Sequence, residues 1–171
     1  MLYTADFETT TDPADCRVWA YGICEIGNPD NFQYGNSIDG FMEWAKKEKK
    51  VTTYFHNLKF DGEFILCWLF EHGFKLVVDR RDLTDNTFTT LISDKGQFYS
   101  MEICFKRRGK ERESLTIYDS LKILPFSVAT IAKGFNLPIS KLEIDYHETR
   151  EKGHELTRQE IDYLRNDVDI V

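Results

Sequence analysis

The opening segment Leu2-Tyr3-Thr4-Ala5-Asp6-Phe7-Glu8 places two carboxylates inside an otherwise apolar, β-prone stretch. In an extended strand residues two apart share a face, so Asp6 and Glu8 leave one side of a sheet while Ala5 and Phe7 leave the other. Two anions on the face of a buried strand are costly unless something neutralises them, and a divalent cation is the natural candidate. The pair alone is a weak signal. In a chain with 29 Asp and Glu, such pairs arise by chance about five times, mostly on solvated edges.

Two later segments supply what the pair lacks. Val51 to His56 is β-branched and aromatic and reads as a strand; after Asn57, Phe60 to Glu71 reads as a helix closed by His72-Gly73, with Asp61 in its first turn. Thr157-Arg158-Gln159-Glu160 is a capping box opening a last helix, on which Tyr163 and Asp167 lie one turn apart on one face. Carboxylates from a strand, a strand–helix junction and a late helix can converge, and four of them together demand cations. Two divalent ions roughly 3.5–4 Å apart hold a phosphodiester, generate hydroxide and stabilise the leaving oxygen.

Val18 to Ile26 alternates as a second strand, and Gly27-Asn28-Pro29-Asp30-Asn31 turns the chain into a short third strand over Phe32 to Asn36. Ser37 caps a helix whose apolar face is Ile38, Phe41, Met42 and Ala45. Thr87 to Asp119 is a meander of three β-rich runs, and Ser127 to Phe135 is a short helix stopped near Pro138. No repeat, low-complexity tract or linker divides the 171 residues, so residues 1–171 read as one domain. Strands followed by a strand–helix alternation predict an α/β fold, a mixed central sheet with flanking helices. Hydrophobic residues at 42 % and aromatics at 14 % are enough to fill its core.

Charge and thiols narrow the function classes. Lys and Arg total 22 and the net charge is −7, so the chain does not coat duplex DNA through a global basic field. Handling of nucleic acid would rest on metal ions, stacking or local basic patches. The one dense basic run, Lys106-Arg107-Arg108-Gly109-Lys110-Glu111-Arg112, reads as a hairpin tip, either a solvated loop or a phosphate contact. Cys16, Cys24, Cys67 and Cys104 form no C-x-x-C pair, which disfavours zinc and redox motifs and leaves free thiols of a reducing compartment. No apolar run approaches the ~18 residues of a membrane span, so a soluble, intracellular chain is expected.

Asp6-Phe7-Glu8-Thr9-Thr10, then Tyr54-Phe55-His56-Asn57-Leu58-Lys59-Phe60-Asp61-Gly62, then Tyr163-x-x-x-Asp167 resemble, in order, the three Exo motifs of proofreading nucleases. Supporting stretches are Cys16-Arg17-Val18-Trp19-Ala20-Tyr21-Gly22, Tyr118-Asp119-Ser120-Leu121-Lys122 and Ile144-Asp145-Tyr146-His147. Together they make the chain, from Leu2 to Ile170, similar to the N-terminal exonuclease domain of the protein-primed family B DNA polymerases of bacteriophages. The resemblance implies a ribonuclease H-like fold and a DEDD-class 3′→5′ exonuclease acting in DNA replication in the cytoplasm of a bacterial host. The subclass implied is the tyrosine one, because the histidine subclass would place its His where this chain has Asp162.

The same resemblance implies site roles. Asp6, Glu8 and Asp167 would bind two Mg²⁺ or Mn²⁺ ions, Asp6 bridging both and Asp61 holding the second partly through water. Tyr163 would orient the attacking water, and Lys141 matches an auxiliary catalytic lysine that neutralises the scissile phosphate. Thr9, Tyr54, His56, Asn57, Phe60, Phe64, Ser120, Leu121 and Tyr146 match positions that hold a single-stranded DNA 3′ end. The residues alone leave other readings open. Phe60 and Phe64, an i, i+4 pair, equally fit two core rings; His56 fits a satisfied strand-end histidine, Tyr163 a core aromatic and Lys141 a solvated lysine.

Implied partners are the polymerase domain of a parent chain and its terminal protein, with no membrane. The palm carboxylates of such a polymerase have no counterpart here, so an excised domain or truncated gene product without polymerisation is expected. Two further function classes stay open: a non-catalytic single-strand-binding module and an RNA 3′ exonuclease, since sugar preference is not written in these motifs.

Overall fold

Alternation along the first strand sets the architecture. In the computed structural model, which describes residues 1–171, eight strands form one sheet: β1 (Leu2–Thr9), β2 (Val18–Glu25), β3 (Asn28–Gly35), β4 (Lys50–Phe55), β5 (Lys75–Leu76), β6 (Thr87–Ile92), β7 (Phe98–Arg108) and β8 (Glu111–Asp119). Four helices flank it: α1 (Ile38–Lys47), α2 (Leu58–Glu71), α3 (Val128–Gly134) and α4 (Arg158–Ile170). Tyr3, Ala5 and Phe7 point into one layer and join α1 and α2 in the main core. There Phe7 meets Phe41 and Phe55 edge to face, with ring centroids 5.0 and 4.9 Å away, an arrangement that suits the quadrupoles of the rings. Thr4, Asp6 and Glu8 face the other layer, where α4 crosses β1 and β2 and the Thr4 hydroxyl donates to the Val168 carbonyl at 2.8 Å.

The strand order is β3-β2-β1-β4-β8-β7-β6-β5. β1, β4 and β8 run parallel side by side, so their C-terminal ends open on one edge of the sheet, the usual position of a site in such folds. The mixed α/β sheet expected from the element pattern is therefore present, as are the caps that close its helices. Ser37 and Ser127 accept from Gly40 and Thr130 N–H groups, and Thr157 and Glu160 form both halves of the capping box.

Two boundaries and one short strand differ from the sequence expectation. β3 begins at Asn28 rather than Phe32, because Ile26 and Gly27 make a two-residue turn in which Gly27 takes φ 85°. Pro29 is tolerated there because β3 is an edge strand. α2 begins at Leu58 rather than Phe60: Asn57 adopts φ 74° without a side-chain cap, and fully buried Leu58 anchors the first turn. β5 was not expected. It is two residues long and exists through pairing with β6, Lys75 N–H donating to the Asn86 carbonyl at 3.0 Å. The four cysteines are free thiols, and no helix is long and apolar enough to cross a membrane.

Candidate active site

At the edge where β1, β4 and β8 end, a cavity of about 290 Å³ is lined by Asp6, Glu8, Asp61 and Asp167 together. Asp6 and Glu8 arrive on one face of β1, Asp167 descends from α4, and Asp61 enters from the first turn of α2 in the opposite layer. Carboxylate oxygens of Asp6, Glu8 and Asp167 lie within 4.8 Å of one another. Asp61 lies outside that tight trio but on the same cavity, and it is only 3 % exposed.

The electrostatics reflect the crowding. Burial, then the charge of Asp167, pushes the Asp6 carboxyl up to about 7 despite nearby Lys141. Burial, then Asp6 and Asp167, pushes Glu8 up to about 9. Asp61 is held well above the usual carboxylate range by burial, then by Asp6, Glu8 and Asp119. Lys141 donates to Asp167 Oδ2 at 2.9 Å. Burial alone would lower the lysine's pKa, but that hydrogen bond and the charge of Asp167 outweigh it, and the ammonium is raised above its ordinary value.

Asp167 Oδ1 is buried without any hydrogen-bond partner, an anomaly in a protein interior. An unpaired carboxylate oxygen beside two more carboxylates, with no nitrogen or sulfur donor in the trio, suits a hard divalent cation. The residues present therefore fit Mg²⁺ or Mn²⁺.

Tyr163, one turn before Asp167, is 1 % exposed and its hydroxyl hydrogen-bonds that of Tyr146. Burial, that hydrogen bond and the charges of Glu8 and Asp167 all raise its phenol, so it stays neutral. It is thus both a core ring and a cavity hydroxyl. The Lys141 ammonium stands 5.3 Å from its ring centroid, within cation–π range.

Among the other sequence candidates, Thr9, His56, Asn57, Phe60 and Tyr146 line the same cavity, and Phe60 and Tyr146 are exposed. Tyr54, Phe64, Ser120 and Leu121 are not among its lining residues. Tyr54 stacks on Tyr118 across β4 and β8 at 5.6 Å. Phe64 is half-buried against the main core and borders a different hollow, so the i, i+4 pair is divided between the two readings. Buried Ser120 braces His56: its Oγ is 3.0 Å from Nδ1, while His56 Nε2 donates to the Phe126 carbonyl at 2.7 Å. Leu121 is half-buried beside it, its N–H donating to Asp119.

Sequence reasoning passed over two supports. Asp119 Oδ1 accepts from the Asn57 and Leu121 N–H groups, both at 3.0 Å, and so fixes the strand–helix junction that delivers Asp61. Its sequence signal was a cap residue at a strand end. Arg150, whose side chain is 2 % exposed, lies over Trp19, pairs with Glu160 of the α4 cap, and donates to the Asp145 carbonyl at 2.9 Å. It thereby ties the segment carrying Tyr146 to the helix carrying Tyr163. Although burial opposes it, the Thr157 N–H, His154 and Arg150 hold Glu160 down to about 2. No local pattern marks Arg150, because its partners Trp19, Asp145 and Glu160 are spread along the sequence and fall on no single helix or strand period.

Comparison with known proteins follows the same lines. The family model of DNA polymerase type B, organellar and viral, matches residues 44–161. The DNA polymerase of Bacillus phage Nf is 53 % identical over 170 residues, which cover 99 % of this chain and 29 % of the relative. The structure of Phi29 DNA polymerase complexed with single-stranded DNA superposes with a TM-score of 0.91 at 46 % identity, covering 99 % of this chain and 29 % of that one. A family B DNA polymerase from the archaeon Pyrobaculum calidifontis shares the fold, with a TM-score of 0.63 at 15 % identity over 99 % of this chain and 23 % of that one. The chain thus spans 29 % of the length of its phage relatives, and its fold is ribonuclease H-like, as expected from the motifs.

Proposed function

Because the chain belongs to the type B DNA polymerases, organellar and viral, we propose that it is the 3′→5′ exonuclease domain of such a polymerase, of the DEDD class and its tyrosine subclass. It hydrolyses single-stranded DNA from the 3′ end and releases nucleoside 5′-monophosphates. The observation that carries this reading is the all-oxygen trio of Asp6, Glu8 and Asp167, with Asp61 on the same cavity.

Asp6, Glu8, Asp167 and Asp61 would hold Mg²⁺ or Mn²⁺, which when bound offset the carboxylate charge, acidify water and stabilise the leaving 3′ oxygen. The protein's own groups do the rest. Neutral Tyr163 orients the attacking water by hydrogen bonding and does not act as a base. Lys141, charged beside Asp167, offsets negative charge on the scissile phosphate. Exposed Phe60 and Tyr146 offer ring faces to terminal bases, and Thr9 and Asn57 offer polar contacts near the last sugar and phosphate, while His56, both ring nitrogens held by Ser120 and the Phe126 carbonyl, shapes the cavity wall beside them. In a full-length relative, the polymerase domain and a terminal protein would be the partners of this domain.

The test is incubation of 5′-labelled single-stranded DNA and RNA with Mn²⁺, with and without chelator, using wild type and Asp6→Ala. A DNA ladder shortening from the 3′ end, abolished by chelator and by the substitution, is the expected result. Retarded but intact DNA would instead identify a binding module, and selective loss of RNA an RNA exonuclease.

A further inference from the structure

The basic hairpin tip belongs to a second concavity, of about 490 Å³, at the far end of β8 from the carboxylates. Seven of its 11 lining residues are Lys or Arg and none is hydrophobic. Three separate segments build it. The β7–β8 hairpin contributes Lys106, Arg108 and Lys110, the α1–β4 turn contributes Lys49 and Lys50, and Arg80 comes from a short 3₁₀ turn. Glu102 is already paired with Arg80 and lies 3.7 Å from Arg112, so its single charge is shared between two of the seven. Lys49, Lys50, Lys106, Arg108 and Lys110 make no ion pair, in a chain whose net charge is −7. Glu113 and Glu111 also line the groove, across the hairpin from Lys106 and Arg108, so seven cations against three carboxylates leave it a net charge of +4, an excess that does nothing for folding.

Lys49 adds an independent observation. It sits at φ 61°, in the left-handed region, whereas the other three non-glycine residues with positive φ are Asn57, Asn86 and Asn136. Asparagine and glycine enter that region more easily than lysine does. The turn is clamped in place by the Ser114 N–H, which donates to the Lys49 carbonyl at 2.7 Å. A cation is thus kept where the backbone favours another residue.

We infer that this groove holds the sugar–phosphate backbone of DNA at a stretch remote from the reacting 3′ end. Protein-binding surfaces centre on aromatic and apolar anchors and are depleted in lysine, and stacking of unpaired bases needs rings. The groove offers neither. Phosphates need only spaced cations, and the contact they make is independent of sequence. β8 joins the two sites: its first residue lines the groove and its last, Asp119, holds Asn57 at the cavity. At strand rise they stand roughly 25–30 Å apart.

The test is binding of labelled blunt duplex DNA to the whole chain in chelator, read by fluorescence anisotropy from about 50 to 200 mM salt. No cleavage occurs under chelation, so failure of the nuclease reading would not decide this one. The Lys106→Gln, Arg108→Gln, Lys110→Gln triple variant should bind about tenfold or more weakly, with a log–log salt slope smaller by about 3. Lys49→Gly should melt no lower than wild type, because glycine suits the turn, yet lose about one from the slope. Duplex binding and slope unchanged in both variants would overturn the inference, as would wild type without salt-dependent duplex binding. Variants that lose binding to polyglutamate but keep their DNA affinity would overturn it in favour of an acidic protein surface.

Discussion

Without a metal ion, the carboxylate cavity should make the protein less stable as pH rises. The folded state holds the Asp6 carboxyl up to about 7 and Glu8 up to about 9, against ordinary values of 3.8 and 4.5. A carboxyl raised on folding contributes stability that is complete below its unfolded pKa and is lost as pH climbs through the folded one. From about pH 5 to about pH 8, each such group removes about 1.4 kcal/mol per pH unit until its folded value is passed, at most about 7 kcal/mol for the two. Water entering the open cavity and the repulsion shared among three carboxylates bring the expected loss to about 2–3 kcal/mol. For a chain of this size that is roughly 5–10 °C in Tm. Melting by circular dichroism in chelator should therefore give a Tm that falls steadily across this window, while saturating Mn²⁺ should flatten the curve and stabilise most at the alkaline end. Asp6→Asn removes one of the repelling charges, so it should melt higher than wild type in chelator at about pH 8 and gain less from Mn²⁺. Glu160, held down to about 2, loses its contribution only in acid below this window and does not interfere. A metal-free Tm that stays level or rises with pH, together with no response to Mn²⁺, would refute the claim that these carboxylates are crowded for a cation.

Other substitutions separate roles that the geometry assigns to neighbours. Tyr163→Phe should keep the Mn²⁺-induced rise in Tm but slow release of nucleotides about 100-fold, and wild-type turnover in single-turnover assays would remove Tyr163 from the chemistry. Phe60→Ala, at an exposed ring, should leave stability within about 0.5 kcal/mol and weaken single-stranded DNA binding by about 1–3 kcal/mol, as titration of labelled oligonucleotide would show. Phe64→Ala should do the reverse, costing about 2 kcal/mol in urea denaturation with little change in DNA affinity. Arg150→Met leaves Glu160 without its buried partner and should cost about 3 kcal/mol in the same denaturation experiment; Arg150→Lys should restore little, because an ammonium cannot reach the Asp145 carbonyl and Glu160 with a planar fork.

The candidate site was legible where one backbone period sufficed. Asp6 and Glu8 share a face because strands alternate, Tyr163 and Asp167 share one because helices turn in about 3.6 residues, and Asp61 follows a strand end by a countable number of residues. The same spacing was mute for Phe60 and Phe64. They sit on nearly one helical face, yet only packing decided that the first opens on the cavity and the second closes on the core. Ser120 was selected by motif as a DNA contact, and the fold shows it buried against His56.

What the chain determines by itself is therefore local: which residues cap helices, which faces of β1 and α4 carry oxygen, and that Asp61 stands in the first turn of a helix after a strand. Tertiary structure decided the rest by long-range pairing. β8 inserts beside β4, bringing Asp119 under the Asn57 junction, and Arg150 reaches Glu160 and Trp19 at once. The basic groove gathers lysines and arginines from three segments. Periodicity fixes the direction of a side chain relative to its own backbone, whereas its neighbours depend on which other stretch of chain can bury against it most favourably.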